Sequence, residues 1–192
     1  MLIVFEGLDQ SGKETQARAL RERLEQQGRV VQSLSFPEYE TPIGREIRHA
    51  LDGQREFSAD VMQLLYVANR LEFKGRLEQW LGAGHIVICD RYCASSIAYG
   101  EAQGLDAGWL SEIQRYLPRP DVTVLLDIAP DVAARRKAIN RDRYERDLGL
   151  LARVRESYKR QAAAGNWCVV DANAPKQTVA AAVASAVTIA TT

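Results

Sequence analysis

The stretch FEGLDQSGKETQ, residues 5–16, holds the strongest evidence for the fold class of this 192-residue chain. It contains Gly7-x-x-x-x-Gly12-Lys13, the spacing of a loop that wraps a phosphate group. An apolar run precedes the loop and an amphipathic helical pattern follows it, which is the context in which such a loop binds phosphate. The glycines permit close backbone approach, and Lys13 can reach the β and γ oxygens. We therefore predict a nucleotide phosphate site at residues 7–14.

Glu14 departs from the usual pattern, because a serine or threonine normally occupies its position and contacts Mg²⁺. A carboxylate there could bind the metal itself, or it could face the water. An outward glutamate in the first turn of a helix is favourable by roughly 0.3–1 kcal/mol. We favour the outward orientation, and Thr15 remains available for a contact with the α-phosphate.

Short apolar runs alternate with longer helical patterns along the whole chain. The predicted strands are 2–6, 29–35, 85–90, 122–128 and 167–171. The predicted helices are 13–27, 58–81, 106–117, 130–137, 144–163 and 176–190. This alternation predicts one α/β domain over residues 1–192, with a five-stranded parallel sheet and helices on both faces, the three-layer fold of P-loop NTPases. Ligands of such sheets bind at the carboxyl ends of the strands.

Charge and cysteine content exclude several classes of function. The 25 basic residues balance 25 acidic ones, so we expect binding neither to nucleic acid nor to an anionic membrane. The three cysteines, Cys89, Cys93 and Cys168, are not at a metal-ligand spacing from His49 or His85. They indicate reduced thiols in a cytoplasmic protein. The opening MLIVFEG lacks the features of a signal peptide, and the Ala/Val-rich end is too short and too polar for a membrane span.

Two further stretches indicate phosphoryl transfer. The run HIVICDR ends in Asp90, where this architecture places a second Mg²⁺-associated carboxylate, and Arg91 follows to neutralise an anion. The basic run RRKAINRDRYERD, at about 135–147, concentrates arginines in an otherwise neutral chain. A solvated helix surface is the simpler interpretation of that run alone. After the fourth strand of a phosphate-loop fold, a lid that closes arginines over the transferred group is the better one.

Together these residues resemble the thymidylate kinase family of P-loop nucleoside monophosphate kinases. The resemblance extends in order along nearly the whole chain, through the segments FEGLDQSGK, FPEYETPIG, LLYVANR, DRYCASSIAY, DRYE and VVDANAP. It implies phosphoryl transfer from ATP to dTMP, giving dTDP and ADP, with Mg²⁺ as cofactor and a role in dTTP synthesis. It also implies a homodimer formed by packed helices, for which the apolar positions at 61–81 could supply part of a face, although the same positions could equally be core.

The resemblance also assigns residues to roles. Catalysis would depend on Lys13, Arg91, Arg136 and Arg143. ATP would contact Gly7, Leu8, Asp9, Gln10, Ser11, Gly12, Lys13, Glu14, Thr15, Arg136 and Arg143, with the loop 172–175 bordering the adenine. The acceptor would contact Asp9, Phe36, Pro37, Tyr39, Tyr66, Arg70, Arg91, Ser95, Ser96 and Tyr99. The metal would be associated with Asp9 and Asp90.

Within the acceptor set, the resemblance implies particular contacts. Tyr66 would stack on the base, Arg70 would donate to a base carbonyl and Ser96 would lie near the other polar edge of the base. Arg91 would hold the acceptor phosphate, and Tyr99 would pack beneath the sugar, where its ring disfavours a 2′-hydroxyl. No general base is required, because a phosphate monoester with a second pKa near ~6 is mostly dianionic at neutral pH.

Three positions depart from the family pattern. Tyr39 occupies a place where some members have arginine, Gly100 a place where many have a larger polar residue, and Glu14 a place usually held by serine or threonine. Gln10 in the phosphate loop is not arginine, whereas the lid is arginine-rich. The chain therefore resembles members with the catalytic arginine in the lid.

Two alternative functions stay open at this point. One is a kinase for dUMP, another monophosphate or a deoxynucleoside, although LLYVANR and the surroundings of Ser96 and Tyr99 favour a deoxypyrimidine monophosphate. The other is a non-catalytic nucleotide-binding protein whose loop lost its metal-binding hydroxyl at Glu14. An acceptor screen separates both from a thymidylate kinase.

Overall fold

The computed structural model describes residues 1–136, 147–165 and 167–189. Five strands lie at or within a residue or two of the predicted runs, which confirms all five predictions. They are Leu2–Glu6 (β1), Val31–Ser35 (β2), Ile86–Asp90 (β3), Val122–Asp127 (β4) and Cys168–Asp171 (β5).

The strands form one parallel sheet in the order β2-β3-β1-β4-β5. Strand β1 is central and buried along its whole length, as expected for a continuous apolar run between two neighbours. In the register of the sheet, Asp90 at the end of β3 pairs with Phe5 on one side and Ser35 on the other. The segments that follow β1, β2 and β3 therefore leave the sheet at the same edge.

The helices of the described residues occupy both faces of this sheet. They are Lys13–Gln26 (α1), Pro42–Leu51 (α2), Ala59–Leu71 (α3), Lys74–Gly82 (α4), Cys93–Ala102 (α5), Ala107–Glu112 (α6), Pro130–Arg136 (α7), Leu148–Gly165 (α8) and Lys176–Ile189 (α9). Alternate residues of β1 contribute to two separate cores, with Ile3 and Phe5 in one and Leu2 and Val4 in the other. This division confirms the predicted three-layer arrangement.

The prediction of a single helix over 58–81 is wrong. Helix α3 ends at Leu71 and α4 begins at Lys74, with Phe73 between them. The Phe73 ring packs edge-on against Phe36, with ring centroids 5.7 Å apart. Helix α3 packs into the core that contains Ile3 and Phe5, whereas α4 buries Leu77 in the core that contains Leu2 and Val4. The chain must therefore turn at Phe73. The apolar spacing of the sequence continues unbroken across this turn and does not reveal it.

Helices α2 and α5 were not predicted. The start of α2 had a sequence signal, since Thr41 caps the helix by accepting from Gly44 N at 3.0 Å and Pro42 occupies the first turn. Helix α5 has none, because CASSIAYGEA contains mostly small residues and lacks an apolar stripe. The predicted helix at 106–117 is shorter, and the first residues of the one at 144–163 lie outside the described residues.

All three cysteines are unpaired thiols, as predicted. Burial raises the pKa of Cys93 to about 11 and raises that of Cys89 further, so neither thiol is readily ionised at neutral pH. Among the residues that the structure describes, no helix has the length and apolar character needed to cross a membrane.

Candidate functional site: a phosphate loop beside an acceptor cavity

The phosphate loop connects β1 to α1 through three residues with positive φ. Gly7 has φ +140°, Gln10 +64° and Gly12 +94°. Gly12 is the N-cap of α1 and has no side chain with which to cap it, so the first backbone N–H groups of the helix face the loop. A β-carbon at Gly7 would lie 2.5 Å from the carbonyl oxygen of Leu126 in β4. Gly7 therefore combines a conformation and a close backbone approach that only glycine permits.

Lys13 lies at the centre of this loop. It is buried, and its Nζ donates to the carbonyl of Leu8 at 2.9 Å. Burial lowers the pKa of Lys13 and the nearby Arg91 lowers it further, whereas Asp90 and Asp9 oppose the shift. A bound phosphate would supply the negative charge that favours the charged ammonium.

Two carboxylates lie where an Mg²⁺ site is predicted. Asp9 and Asp90 line one cavity with Lys13, Glu14 and Thr15. Among the described residues, no group of three or more histidine, cysteine or acidic side chains is arranged to hold a metal ion. One or two carboxylates nonetheless suit Mg²⁺, which usually keeps several waters and takes its other ligands from substrate phosphates. The donors therefore fit a phosphate-bound magnesium.

Glu14 is exposed in the first turn of α1 and lines the same cavity. It also borders a second hollow, which lies between α1 and the strands β2 and β3 and is lined by Arg18 and Arg21 among others. The outward orientation is therefore compatible with the structure, and the role of Glu14 stays a prediction.

Arg91 connects the phosphate loop to the acceptor side. It follows β3 with φ +64°, and its backbone N–H donates to Phe5 O at 2.9 Å. Its guanidinium donates to Asp9 Oδ1 at 2.8 Å and lies over the ring of Tyr99, 5.5 Å from its centroid. Although burial acts to lower the pKa of Arg91, Asp9 and Tyr99 hold it well above its usual value. The arginine is thus charged and held in place before any ligand binds.

A buried network behind Arg91 was not predicted from the sequence. Glu6, at the end of β1, has no exposed surface and accepts from the backbone N–H of Tyr92 and the hydroxyls of Ser95 and Tyr158. Arg91 Nη1 donates to those two hydroxyls, at 3.2 Å for Ser95 and 3.3 Å for Tyr158. The position of Glu6 next to the loop motif was a sequence signal that could have indicated its part in the network. Tyr158 had no such signal, because it lies 67 residues after Arg91, on α8.

A second cavity opens beside the phosphate loop, between α3, α5 and the segment after β2. It brings together all ten residues predicted to contact the acceptor, together with Leu51 and Gln63, which were not predicted. The ten residues are Asp9, Phe36, Pro37, Tyr39, Tyr66, Arg70, Arg91, Ser95, Ser96 and Tyr99. The acceptor cavity and the phosphate cavity share Asp9 and Arg91 in their linings, so the two adjoin each other.

Arg70 is held rigidly at this cavity. It is buried, and its Nη1 donates to Ser96 Oγ at 2.8 Å and to Gln114 Oε1 at 3.3 Å. Gln114 is fixed in turn by donating to the carbonyl of Leu110. The guanidinium is therefore fixed at the wall of the cavity, and Ser96 shares its hydrogen-bond network.

The segment after β2 is fastened to α3. It begins at a cis peptide bond between Phe36 and Pro37. Asn69 accepts from Glu38 N at 2.8 Å and donates to Glu38 O and Thr41 Oγ1. This connection holds one wall of the acceptor cavity against the helix that supplies Arg70.

The first lid arginines lie at the end of α7. Arg135 pairs with Asp131 on the exposed side of the helix. Arg136 donates to Gln10 O at 3.0 Å and to Ala172 O at 2.8 Å, and so connects the phosphate loop to the loop after β5. Arg143 and most of the predicted lid lie outside the described residues.

The site combines three features: a parallel sheet in the order β2-β3-β1-β4-β5, a glycine loop after its central strand, and an adjoining cavity at the same edge of the sheet. Together these features define a P-loop kinase of the nucleoside monophosphate class.

Comparison with known proteins identifies the family within this class. A sequence model of the Thymidylate kinase family matches residues 5–183. The thymidylate kinase of Schizosaccharomyces pombe is 39% identical over 145 residues, covering 76% of this chain and 69% of that protein. That of Plasmodium falciparum is 36% identical over 171 residues, covering 88% and 81%. The structure of the Candida albicans thymidylate kinase superposes with a TM-score of 0.83 at 29% identity, covering 98% of this chain and 91% of that chain. The chain belongs to the thymidylate kinase family.

Proposed function

We propose that this chain transfers the γ-phosphoryl group of ATP to dTMP, giving dTDP and ADP. The observation that carries the proposal is the position of Arg91, which is shared by the phosphate cavity and the acceptor cavity and ion-paired to Asp9 of the loop. A phosphate on dTMP and the γ-phosphate of ATP would both meet this arginine. Family membership supports the same reaction.

The protein groups act by alignment and charge. The loop N–H groups and Lys13 would hold the ATP phosphates, while Arg91 would hold the acceptor phosphate in line with them. The acceptor phosphate is mostly dianionic at neutral pH, with a second pKa near ~6, so it can attack without a general base. Arg136, which already contacts the phosphate loop, would lie over the donor and offset charge as it develops.

Asp9 and Asp90 are the residues that would hold Mg²⁺. When bound, the ion would offset the negative charge of the phosphates. We further propose that Arg143 closes over ATP from the lid and that the loop 172–175 borders the adenine. The contact between Arg136 and Ala172 O supports a position for that loop beside the donor.

The base and sugar would occupy the acceptor cavity. Tyr66 would stack on thymine, Arg70 would donate to a base carbonyl, and Tyr99 would pack beneath the sugar. Tyr99 OH already donates to Asp9 Oδ2 at 3.4 Å, so its ring is held at the boundary between the sugar and phosphate sites.

An acceptor screen tests the proposal. ADP release would be measured with ATP and Mg²⁺ on dTMP, dUMP, dCMP, dAMP and thymidine, and we expect dTMP to give the highest kcat/KM. Arg91→Ala should lower turnover on dTMP on the order of 10²-fold or more. Arg115→Ala, which removes an exposed arginine paired with Glu112, is the control and should leave turnover unchanged. Near-normal turnover of Arg91→Ala would disprove the role of Arg91.

The same screen tests the alternatives. The Candida albicans thymidylate kinase has a broad substrate specificity, so activity on further monophosphates is a real alternative outcome. ATP binding without turnover on any acceptor would instead support a non-catalytic nucleotide-binding protein. The buried hydrogen bonds that fix the Arg91 guanidinium favour a catalytic protein. A protein that only binds ATP does not require an arginine fixed between the phosphate loop and an acceptor cavity.

We also propose that the chain forms a homodimer in the cytoplasm. Val61, Leu64 and Leu71 are 37%, 47% and 40% exposed on one side of α3, whereas Tyr66 and Arg70 line the acceptor cavity from the other side. An apolar row of this kind supports burial against a second copy. Three unpaired thiols are consistent with a reducing compartment.

A further inference from the structure

One polar residue in the acceptor cavity has no assigned role. Gln63 lies on α3, three residues before Tyr66 and seven before Arg70. Residues at this spacing share one face of a helix, and all three line the acceptor cavity. Gln63 therefore lies on the same face of α3 as the residues expected to stack on the base and to donate to it.

The side-chain amide of Gln63 is buried without a partner. The residue has no exposed surface, and within the described part of the chain neither its Nε2 nor its Oε1 makes a hydrogen bond. Asn69, on the same helix and equally buried, uses both ends of its amide to hold the segment after β2. An amide that only stabilises the fold is satisfied in the way that Asn69 is, because nearly all buried polar groups in native proteins are paired.

The unpaired groups of Gln63 and Arg70 indicate which groups a ligand must have in order to hydrogen-bond with them. Gln63 offers one acceptor and one donor group side by side, and Arg70 Nε, also buried without a partner in the described residues, offers a donor. A ligand that hydrogen-bonds with these groups must present an N–H next to a carbonyl oxygen. The edge of a thymine or uracil base has this pattern, since its N3–H is flanked by carbonyls.

We propose that Gln63 is a specificity-determining residue that hydrogen-bonds N3–H and the adjoining carbonyl of the acceptor base. This inference rests on the proposed function, because it assigns a residue to the base site of the same acceptor. Cytosine presents an unprotonated N3 beside an amino group. The Gln63 amide could rotate to match it, but Arg70 could not, since a guanidinium has donors only. Gln63 and Arg70 together therefore select the imide edge.

The test compares Gln63→Met with wild type. Methionine keeps the length and helix propensity of glutamine and removes both polar atoms. Met62→Leu is the matched control, because Met62 is the adjacent, fully buried residue of α3 and packs in the core outside the cavity lining. Four quantities are measured for each protein: the ligand-free Tm, the rise in Tm on adding dTMP, kcat/KM for dTMP, dUMP and dCMP, and KM for ATP.

We expect Gln63→Met to lower kcat/KM for dTMP and dUMP about 10- to 100-fold, because the base then loses its partners in a buried site. The loss for dCMP should be smaller, and KM for ATP should stay unchanged. The ligand-free Tm should equal or exceed that of wild type, since an unpaired buried amide has been replaced by an apolar side chain. The rise in Tm caused by dTMP should shrink. A purely structural amide would give the opposite pattern, a lower ligand-free Tm with the full dTMP effect.

Wild-type kcat/KM for dTMP in Gln63→Met, or a lowered ligand-free Tm with an undiminished dTMP effect, would overturn the proposal. Gln63→Leu, measured in the same way, replaces the methionine variant if that protein does not fold. Failure of the proposed function gives a separate result, because wild type itself would then show neither turnover of dTMP nor a rise in Tm with it.

Discussion

Glu14 is the residue at which the phosphate loop departs from its usual sequence pattern. It is exposed and borders the phosphate cavity from the first turn of α1. A carboxylate in this position interacts favourably with the helix dipole but adds negative charge near a bound triphosphate. The two effects oppose each other, and we predict that the side chain is a solvated group and not a metal ligand.

We therefore predict that Glu14→Ser is as active as wild type or more active. A serine hydroxyl at this position can contact Mg²⁺, and the nearby negative charge is removed. Turnover on dTMP would be measured across a range of Mg²⁺ concentrations, where we expect half-saturation at the same or a lower concentration. A loss of activity beyond a hundredfold would instead identify Glu14 as a metal ligand.

Tyr158 contributes its hydroxyl to the network behind Arg91, and we predict that Tyr158→Phe lowers kcat/KM for dTMP about 10- to 100-fold. Arg91 Nη1 would lose one of its two hydroxyl acceptors, and a hydrogen bond to a charged group is worth about 1.5–3 kcal/mol, with each 1.36 kcal/mol changing a rate tenfold. KM for ATP should change little, because the phosphate loop is untouched.

Tyr92→Phe is the matched control for this prediction. The Tyr92 side chain is as buried as that of Tyr158, but its hydroxyl has no hydrogen-bond partner among the described residues. Its removal should leave kcat/KM unchanged and the free energy of unfolding equal or higher. Equal activity of the two variants would show that the Tyr158 hydroxyl does not position Arg91.

At the scale of elements, the phosphate loop depends on how closely β1 approaches β4. Gly7 lies where these strands end, with its backbone at φ +140° and a β-carbon position 2.5 Å from Leu126 O. We predict that Gly7→Ala lowers the free energy of unfolding by about 2–4 kcal/mol and abolishes ATP binding, since both strain and a backbone clash must be relieved. Urea unfolding and ATP titration measure the two effects.

Gly82→Ala in α4 is the control for this substitution. Its backbone is not left-handed, and a β-carbon there would meet nothing within 4 Å. The substitution should raise the free energy of unfolding by about 0.4–1 kcal/mol, because alanine restricts the unfolded chain. If Gly7→Ala likewise raised the free energy of unfolding and kept ATP binding, the conformation of the phosphate loop would not depend on the close approach of β1 and β4.

The elements also differ in how far the sequence could predict them. The five strands were predicted because each is a continuous apolar run bounded by polar or glycine-containing turns. The break at Phe73 was not, because the apolar spacing continues across it and only the contact with Phe36 shows that the chain turns. Helix α5 was missed since its small residues pack closely against neighbours without forming a stripe, as Gly100 does against Leu110.

For the whole molecule, the site was more predictable than the helices around it. The ten predicted acceptor residues are spread from Asp9 to Tyr99, and the segments that follow β1, β2 and β3 bring them to one cavity together with α3 and α5. The resemblance to a family supplied this set, because separate segments along the chain matched in order. Gln63 and Tyr158 lay outside that set, since a lone glutamine or tyrosine on a helix indicates nothing until burial and hydrogen bonding are known.

The exposed side of α3 leads to a prediction about assembly. Val61, Leu64 and Leu71 lie on the side of the helix roughly opposite Tyr66 and Arg70, so a partner on that face would support the base site from behind. A charge at the centre of the row would be desolvated in such an interface without a counter-ion. We therefore predict that wild type sediments as a dimer and Leu64→Glu as a monomer. Val30→Glu, at an apolar residue that is 55% exposed away from α3, is the control and should stay dimeric.

Helix α3 supplies both the apolar row and part of the acceptor cavity, so the monomeric Leu64→Glu variant should also show a higher KM for dTMP. A wild-type protein that sediments as a monomer would instead assign the apolar row to another role.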